Sequence, residues 1–391
     1  MKLATPLRPG AAIGMLGSGQ LGRMSGIAAR RLGYRLVVHS PTESSPAGQI
    51  ADVSVVGSLD DPDAILRVAQ QVDVITYEFE NVAVEPVMKA AEIRPVFPAP
   101  DILRAAQHRL LEKEAVQRAG VPVAKYYPIR SLADLQARLP EFPGGAVLKT
   151  VTGGYDGKGQ CVLDPASQPD LAAVYADLAG NGSRELILEE RIPFEREISV
   201  IVGRNALGDV ITFPVAENIH RDGILHLSIV PARVEPEIAA QASEIARTIA
   251  EAFDLIGVLG VEMFQTAAGL YVNEIAPRPH NSGHYTLDAC ISSQFEQHIR
   301  AVAGLPFGST ELLTPVVMLN LLGEHMEALE THLYDILSDP KLKLHLYGKE
   351  EARAGRKMGH INAVADSVDE ALQRLERVWA VIRPDERPLI G

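Results

Sequence analysis

Two glutamates, Glu262 and Glu274, are the most informative pair of side chains for chemistry in this sequence. They flank the segment MFQTAAGLYVN, whose pattern predicts a β-hairpin that turns at the three residues 267–269. That turn would place the two carboxylates opposite each other on one face, where like charges destabilise a sheet. A divalent cation between them would reverse this effect, and carboxylate oxygens suit Mg²⁺ that bridges substrate phosphates. The alternatives are a solvated hairpin face with screened charges and a two-residue turn, which would shift the register.

The glycine-rich segment TGGYDGKG, residues 152–159, predicts a loop that binds an anion, usually a phosphate. Its glycines let backbone amides approach a ligand without a Cβ in the way. It is not a Walker A loop, because Lys158 is followed by Gly159 and not by Ser or Thr. Lys149, at the end of the preceding predicted strand, could supply a point charge to phosphate oxygens. The alternatives are a mobile surface turn and an ordinary exposed lysine at a strand end.

Two further polar segments follow the acidic hairpin. The loop RPHNSGH, residues 278–284, holds Arg278 between two prolines and indicates a site for a small anion; the alternative is an ordinary turn. Nearer the C-terminus, a basic cluster stands out in a chain of net charge −13. It indicates a phosphate-binding patch or, alternatively, a solvated face, and it consists of Lys349, Arg353, Arg356 and Lys357.

Near the N-terminus, the GxGxxG motif at residues 17–22 lies between a predicted strand (11–16) and a predicted helix that extends to about residue 32. Such a turn favours an anion at the helix N-terminus and invites a dinucleotide-binding interpretation. The next strand ends in His39 and Ser40, where a ribose-binding acid would be expected, and this counts against NAD.

The predicted helices and strands indicate two fold classes in one chain, α/β and α+β. Strand–helix alternation in residues 1–105 indicates a Rossmann-like domain with a parallel sheet, in which Pro62 opens a helix after Asp61. Residues 106–304 mix helices and strands, including one helix at 102–119, short strands at 146–149 and 186–188, and an antiparallel pair at 197–202 and 209–215. Residues 305–391 form a small C-terminal domain with strands in TPVVMLNLLG, LHLYGKE and GHINAVAD and a closing helix, for which Ser367 and Glu370 predict a capping box.

Composition narrows the class of protein. The 391 residues are 47% hydrophobic and 22% charged, which predicts a folded protein, and the acidic net charge argues against a nucleic-acid partner. No apolar run approaches the roughly 18–20 residues that a membrane helix needs, and the N-terminus lacks the apolar region of a signal peptide. We therefore expect a cytoplasmic protein without a membrane partner, in which Cys161 and Cys290 are buried and reduced.

Taken together, these segments resemble the ATP-grasp superfamily along nearly the whole chain, and most closely the N5-carboxyaminoimidazole ribonucleotide synthetase family of purine biosynthesis. The matching stretches are IGMLGSGQLGRM, DVITYEFENV, VLKTVTGGYDGKGQ, FEREISVIV, NEIAPRPHNSGHYT and GRKMGHIN. The resemblance implies a Rossmann-like N-terminal domain, a grasp domain with a mobile lid, and a small C-terminal domain. It also implies a homodimer that uses ATP and Mg²⁺, without NAD or biotin, to carboxylate aminoimidazole ribonucleotide with bicarbonate through carboxyphosphate.

The same resemblance implies roles for individual residues. At the nucleotide, the phosphates would be bound by Arg109 and Lys149, and the lid loop over ATP would consist of Gly154, Tyr155, Asp156, Gly157, Lys158, Gly159 and Gln160. The adenine would be lined by Glu189, Glu190, Arg191 and Ile192, the ribose would be bound by Glu197, and His220 would also contact the nucleotide. Magnesium would be held by Glu262, Asn273 and Glu274. Bicarbonate and the ribonucleotide would be served by Arg278, His280, Asn281 and Ser282, and the ribonucleotide also by Tyr155, Asp156, Lys349, Arg356 and Lys357; Arg278, His280, Asn281 and Lys357 would be catalytic.

Four positions depart from the pattern expected of the family, namely His39, His108, Val151 and Ala354. They put affinity in doubt more than chemistry, because none replaces a metal-binding carboxylate. The remaining alternatives are another grasp ligase, such as a formate-using glycinamide ribonucleotide transformylase or a biotin carboxylase, an NAD-dependent oxidoreductase, and a catalytically inactive nucleotide-binding module.

Overall fold

Three β-sheets organise the chain in a computed structural model, which describes residues 3, 5–154, 159–167, 169–180 and 184–390. The first sheet is parallel, in the order β3-β2-β1-β4, and its strands are β1 (Ala12–Leu16), β2 (Arg35–Ser40), β3 (Val53–Val56) and β4 (Val74–Tyr77). The helices of this region are α1 (Gln20–Arg31), α2 (Pro62–Gln71), α3 (Val84–Ala91) and α4 (Pro100–Ala106). The Rossmann-like prediction is confirmed.

Helix α2 shows how local sequence sets these elements. The carboxylate of Asp61 accepts hydrogen bonds from the backbone amides of Asp63 and Ala64 at 2.9 and 3.2 Å, and Pro62 occupies the first helical position. Both features favour a helix start, because the first amides of a helix lack partners within the helix.

The second sheet is antiparallel, in the order β5-β8-β6-β7. Its region comprises α5 (Arg109–Arg118), β5 (Tyr126–Ile129), α6 (Leu132–Arg138), β6 (Ala146–Thr150), β7 (Gln160–Leu163), α7 (Leu171–Ala179) and β8 (Leu186–Glu190). The prediction of one helix over residues 102–119 was wrong. Helix α4 ends at Ala106 because the backbone of His108 is extended (φ −135°), and the Gln107 side chain donates to the Glu80 and Val82 carbonyls at 2.5 and 2.6 Å.

The third sheet has nine strands in the order β14-β13-β9-β11-β12-β15-β17-β16, with β10 paired to β9. Its region comprises β9 (Arg196–Arg204), β10 (Val210–Thr212), β11 (Ala216–Arg221), β12 (Ile224–Val230), α8 (Pro236–Ala252), β13 (Gly257–Thr266), β14 (Gly269–Ala276), α9 (Thr286–Ala289), α10 (Gln294–Val302), β15 (Val316–Leu322), α11 (Met326–Thr331), α12 (Leu333–Leu337), β16 (Leu342–Leu346), β17 (Lys357–Val364) and α13 (Val368–Ile382). Strand β15 pairs with β12, so the sheet continues across residue 305 into the C-terminal region.

Three smaller predictions need correction. The Ser367 side chain accepts from the Glu370 amide at 3.2 Å, but the Glu370 carboxylate accepts from the Asp366 amide and not from Ser367, so the capping box is incomplete. The strand predicted in LHLYGKE is shorter than expected, because β16 ends at Leu346, before the basic cluster. Cys290 is buried as predicted, whereas Cys161 is only partly buried, because β7 lies at the edge of the second sheet. Among the described residues, no helix is both long and apolar enough to span a membrane.

Candidate active site

Strands β9 and β13 present their polar residues on the face of the nine-stranded sheet opposite α8. Ile198 and Val200 of β9, with Val261 of β13, are fully buried in the core that includes α8. Because side chains alternate along a strand, the residues next to these in sequence, such as Glu197 and Glu262, project from the other face. Burying each large aliphatic side chain contributes roughly 1.5–3 kcal/mol, so this core fixes the register that aligns the site.

The β13–β14 hairpin brings Glu262 and Glu274 together, although not by the predicted turn. Strand β13 ends at Thr266, which pairs with Gly269, so the turn has two residues and not three. The register then shifts between Met263, which pairs with Val272, and Glu262, which pairs with Glu274. Asn273 is the extra residue of this β-bulge. The predicted pairing of the two carboxylates is therefore confirmed, because the bulge compensates for the shorter turn.

The two carboxylates lie in different environments. Burial and the charge of Glu274 raise the pKa of Glu262, whose side chain is 17% exposed, whereas that of Glu274 is 42% exposed. His280 Nε2 lies 3.3 Å from Glu262 Oε1, and Arg109 Nη1 lies 3.6 Å from Glu274 Oε2. Two facing oxygen donors fit Mg²⁺ in charge and in chemical type. No group of three or more His, Cys, Asp or Glu side chains in the described ranges could hold a metal ion, so such a cation would also need oxygen ligands from a substrate.

A second group of charges surrounds Glu189 on β8. Lys149 Nζ on β6 lies 2.9 Å from Glu189 Oε2, and Lys113 Nζ on α5 lies 3.2 Å from the same oxygen. Burial raises the pKa of Glu189, but the nearby charges of Lys113 and Lys149 lower it by more than burial raises it, and the resulting pKa is about 2. The Glu189 carboxylate, predicted to line an adenine, is thus engaged with two lysines. Sequence reasoning missed Lys113, whose spacing of four residues from Arg109 on a helix was the available signal.

The remaining residues predicted to contact the nucleotide surround these charges. Glu197 and His220 form an ion pair, and they line one small cavity with Glu262 and Asn273. Burial lowers the pKa of His220, but the hydrogen bond that the ring donates to the Glu197 carboxylate and the charges of Glu197, Glu262 and Glu274 together outweigh burial, so the pKa is raised overall. Glu190, the last residue of β8, and Arg191 are exposed, and Ile192 is partly buried. Of the residues predicted to form the lid, Gly154, Gly159 and Gln160 belong to the described part of the chain. The predicted lid residues Tyr155, Asp156, Gly157 and Lys158 lie outside the described residues.

Arg278 in the 278–284 loop is held by an acid from the N-terminal region. Its Nη2 donates to Glu80 Oε1 at 2.8 Å, and its Nε donates to Oε2 of the same carboxylate. Such a bidentate pair fixes the plane of the guanidinium. Burial raises the pKa of Glu80, whereas Arg278 lowers it, and the result is below the ordinary value. The sequence motif YEFENV contained Glu80, but nothing in it indicated this partner 198 residues away.

A chain of buried hydrogen bonds orients His280. Ser228 donates to Asn218 Oδ1 at 2.9 Å, Asn218 Nδ2 donates to Ser199 Oγ at 2.8 Å, and Ser199 donates to Ser282 Oγ at 2.7 Å. The backbone amide of Ser282 donates to His280 Nδ1 at 3.3 Å, and its hydroxyl lies 2.9 Å from the same nitrogen. With Nδ1 as the acceptor, the ring hydrogen belongs on Nε2, which faces Glu262.

The surroundings of His280 keep the ring neutral. Burial and the charges of Arg278, Lys357 and His220 lower its pKa well below the usual value. His280 can therefore donate a hydrogen bond from Nε2 near neutral pH. Ser282, predicted to contact a substrate, is fully buried behind this ring. Both polar side-chain atoms of Asn281 are buried and have no hydrogen-bond partner among the described residues.

In the basic cluster, Lys349 and Lys357 are partly buried, whereas Arg353 and Arg356 are exposed. Lys357 begins β17 and lowers the pKa values of Glu80, Glu262 and His280, so its charge acts on the site. Lys349 Nζ donates to the Lys357 carbonyl at 2.6 Å, and Arg356 Nη1 donates to the Glu351 carbonyl at 2.9 Å. Arg353, in contrast, pairs with the Glu351 carboxylate and its side chain is 73% exposed.

The glycine-rich turn after β1 is occupied by the protein itself. The amides of Gly19 and Gly22 donate to the two oxygens of Glu78, at 2.6 and 3.0 Å. A Cβ on Gly17 or Gly19 would lie within 3.0 Å of the Glu78 side chain, which explains why this turn requires glycine. The carboxylate thus fills the position that a pyrophosphate occupies in dinucleotide-binding domains.

Comparison with known families agrees with this architecture. Residues 11–107 match the ribonucleotide synthetase preATP-grasp domain, residues 114–295 the ATP-grasp domain, and residues 316–374 the phosphoribosylaminoimidazole carboxylase C-terminal domain. The fold and the three matched domains define an ATP-grasp ligase.

Individual relatives are similar over nearly their full length. The N5-carboxyaminoimidazole ribonucleotide synthase of Bacillus subtilis is 46% identical over 376 residues, which cover 95% of this chain and 96% of that protein. An ADP complex of N5-carboxyaminoimidazole ribonucleotide synthetase has a TM-score of 0.90 at 46% identity, covering 96% of this chain and 98% of that one. An Aspergillus clavatus enzyme in complex with ADP and 5-aminoimidazole ribonucleotide has a TM-score of 0.87 at 32% identity, covering 96% and 99%. The chain belongs to the N5-carboxyaminoimidazole ribonucleotide synthase family.

Proposed function

We propose that the chain carries out the reaction of its family with bicarbonate as the carboxyl donor and carboxyphosphate as the intermediate. The enzyme is an ATP-dependent ligase of purine biosynthesis that converts 5-aminoimidazole ribonucleotide to N5-carboxyaminoimidazole ribonucleotide. A bicarbonate oxygen attacks the γ-phosphorus and ADP leaves. Carboxyphosphate then releases CO₂ and phosphate, and the exocyclic amine of the ribonucleotide bonds to CO₂ and loses a proton. No covalent enzyme intermediate is needed.

The neutral His280 ring beside Glu262 is the observation that carries this proposal. A donor fixed at Nε2 suits an anionic oxygen of bicarbonate, and its orientation costs nothing at the moment of reaction. The Arg278 guanidinium, held in its plane by Glu80, supplies a positive charge nearby. The Asn281 amide, which has no hydrogen-bond partner in the described part of the chain, adds a donor and an acceptor within the same loop. Burial of this end of the site protects carboxyphosphate from water.

At the nucleotide end, Lys149, Lys113 and Arg109 would face the ATP phosphates. Positioning and charge neutralisation supply most of the catalysis in phosphoryl transfer. Glu197 and His220 would contact the ribose, because they line the same cavity as Glu262, which would lie near the phosphates. Residues 189–192 would line the adenine.

Glu262, Glu274 and Asn273 would hold Mg²⁺. The cation, when bound, neutralises charge on the phosphate oxygens. Since burial and Glu274 raise the pKa of Glu262, this carboxyl would give up a proton as it becomes a metal ligand. Magnesium affinity should therefore increase with pH.

At the ribonucleotide end, Lys349, Arg356 and Lys357 would bind the phosphate of 5-aminoimidazole ribonucleotide, with Tyr155 and Asp156 from the lid. The charge of Lys357 reaches both His280 and Glu80, which supports a place between the two reacting ends. We also propose a cytoplasmic homodimer, as the resemblance to the family implies. The domain division at 1–105, 106–304 and 305–391 is supported by the three matched segments.

The test is ADP and phosphate release, measured with each substrate left out in turn. We expect rapid ATP consumption only when bicarbonate and the ribonucleotide are both present, with one N5-carboxylated product for each ATP. Turnover that does not depend on bicarbonate would overturn the proposal. Glu251→Gln, at an exposed position on α8, serves as the control variant.

A further inference from the structure

The side chain of Gln294 holds the backbone of His280 from both sides. Gln294 is the first residue of α10 and is fully buried. Its Oε1 accepts from the His280 amide at 2.8 Å, and its Nε2 donates to the His280 carbonyl at 2.7 Å. The same Nε2 lies 3.3 Å from His284 Nδ1. One amide thus satisfies both backbone groups of the residue whose ring faces Glu262.

The surrounding contacts fix Gln294 in turn. Its backbone amide donates to Thr286 Oγ1 at 3.0 Å, and Ser293 caps α10 by accepting from the Glu296 amide at 3.2 Å. A Cβ on Gly283 would lie 2.6 Å from Gln294 Oε1, so the loop approaches this side chain as closely as only glycine permits. The loop and the glutamine are therefore fitted to each other.

We infer that Gln294 is a positioning residue for bicarbonate, which acts by fixing the backbone of His280 so that Nε2 of the ring points into the site. The inference rests on the proposed function of His280. Without the two hydrogen bonds of Gln294, the His280 amide would lose its acceptor, and the His280 carbonyl would keep only the hydrogen bond from the Gly283 amide at 3.0 Å. The ring would then be held by Ser282 on one side. A small displacement of a hydrogen-bond donor in a closed site is costly, because catalysis depends on its geometry.

The chain contains a closely matched control in the same helix. Gln297, three residues after Gln294, is also fully buried. Its Nε2 donates to the Gly308 carbonyl at 2.7 Å, and its Oε1 accepts from the Gly308 amide at 2.9 Å. The two glutamines make the same pair of backbone hydrogen bonds, but Gln297 holds a loop that carries none of the proposed site residues.

The experiment compares Gln294→Met with Gln297→Met in the full chain. Both variants should lower the melting temperature by similar amounts. Only Gln294→Met should raise the KM for bicarbonate, by about tenfold if roughly 1.4 kcal/mol of positioning is lost, while the KM for ATP changes less than about twofold. If the two variants show the same bicarbonate KM, Gln294 has only a structural role and the inference is overturned.

Two further variants, Gln294→Glu and His280→Ala, distinguish the possible outcomes. Gln294→Glu retains the acceptor for the His280 amide and, when ionised, lacks the donor to the His280 carbonyl, so it replaces Gln294→Met if that variant does not fold. Its bicarbonate KM should also rise, and a wild-type value under ionising conditions would overturn the inference. His280→Ala separates the two hypotheses: an unchanged bicarbonate KM in that variant removes the proposed role of His280 itself. A raised value there, with Gln294→Met equal to Gln297→Met, removes only the role of Gln294.

Discussion

Two glutamates of the candidate active site, the buried Glu189 and the partly buried Glu262, lie in opposite electrostatic settings. Glu189 is within 3.2 Å of two lysine ammonium groups, which keep its pKa at about 2 despite burial. Glu262 instead pairs across the hairpin with another carboxylate, so burial and a like charge both raise its pKa. The first acid is already compensated by the protein, whereas the second requires a cation or a proton. Glu262, whose charge the surrounding residues do not balance, is therefore the acid that indicates a metal site.

This contrast distinguishes structure from function at residues that look alike in sequence. Removing Glu189 should damage the fold by leaving buried lysines without a partner. Removing a carboxylate from the hairpin should relieve repulsion in the metal-free protein and damage activity instead.

Glu274→Gln should lower magnesium-dependent turnover by roughly a thousandfold or more, because neutralising phosphate charge by a metal contributes several kcal/mol to the transition state. The measurement is steady-state ADP release over a range of magnesium concentrations. Near-normal turnover at saturating magnesium would contradict the metal assignment, and Glu251→Gln should behave like the wild type.

Glu189→Gln should reduce the free energy of unfolding by about 3–5 kcal/mol, because it breaks a buried ion pair and leaves Lys113 and Lys149 facing each other. Urea denaturation in the absence of metal measures this loss. Glu262→Gln is the contrasting variant, and it should keep or increase stability in the same experiment. Equal losses in the two variants would show that the two acids are not in opposite settings.

How far the sequence predicted this contrast depends on the distance between partners. The pairing of Glu262 with Glu274 could be predicted because a hairpin is local and its side chains alternate. The bulge at Asn273 could not, because an inserted residue leaves no signature in the alternation of polar and apolar residues. Lys113 follows Arg109 by four residues within the predicted helix, so the spacing alone places the two residues on one face. What the sequence could not supply was their acidic partner Glu189 on β8.

Long-range partners were beyond sequence reasoning. Glu78 and Glu80 lie two residues apart after β4, yet one binds the glycine turn 59 residues before it and the other binds Arg278. Nothing local distinguishes them, because the partner of each is set by the packing of whole domains. The family resemblance supplied the roles of substrate-binding residues, whereas the Ser228–Asn218–Ser199–Ser282 chain that sets the His280 tautomer became visible only in the structure.

A third carboxyl group extends the comparison to pH. Glu112 on α5 is buried, and its Oε1 accepts from the Ile275 amide at 2.6 Å. Burial and the charge of Glu274 raise its pKa to about 7. The folded state thus keeps a proton that the unfolded state loses near its ordinary pKa of 4.5. Metal-free stability should therefore decrease as pH rises from about 4.5 to about 7, by roughly 3 kcal/mol from this group.

Glu112→Gln should flatten this part of the stability curve, since glutamine can accept the same hydrogen bond without titrating. Urea denaturation at several pH values in the presence of a chelator measures the slope. Glu114→Gln, an exposed neighbour on the same helix, should leave the slope unchanged. A Glu112→Gln protein with the wild-type slope would mean that the pH dependence arises elsewhere.

The smallest expected effect concerns two arginines of the basic cluster that the sequence alone could not rank. Arg353 pairs with the Glu351 carboxylate at the surface, where its side chain is 73% exposed. Arg356 donates one hydrogen bond to a backbone carbonyl, which does not neutralise its charge. A charge-assisted contact with a phosphate contributes roughly 1.5–3 kcal/mol. Arg356→Ala should therefore raise the KM for 5-aminoimidazole ribonucleotide by about ten- to a hundredfold and leave the KM for ATP nearly unchanged.

Arg353→Ala is the matched control and should change either value less than about twofold, since exposed ion pairs contribute little. Arg356→Lys should recover only part of the loss if the contact is bidentate. A rise in the ATP KM instead would assign the cluster to the nucleotide, and equal behaviour of the two alanine variants would mean that the cluster is a solvated face.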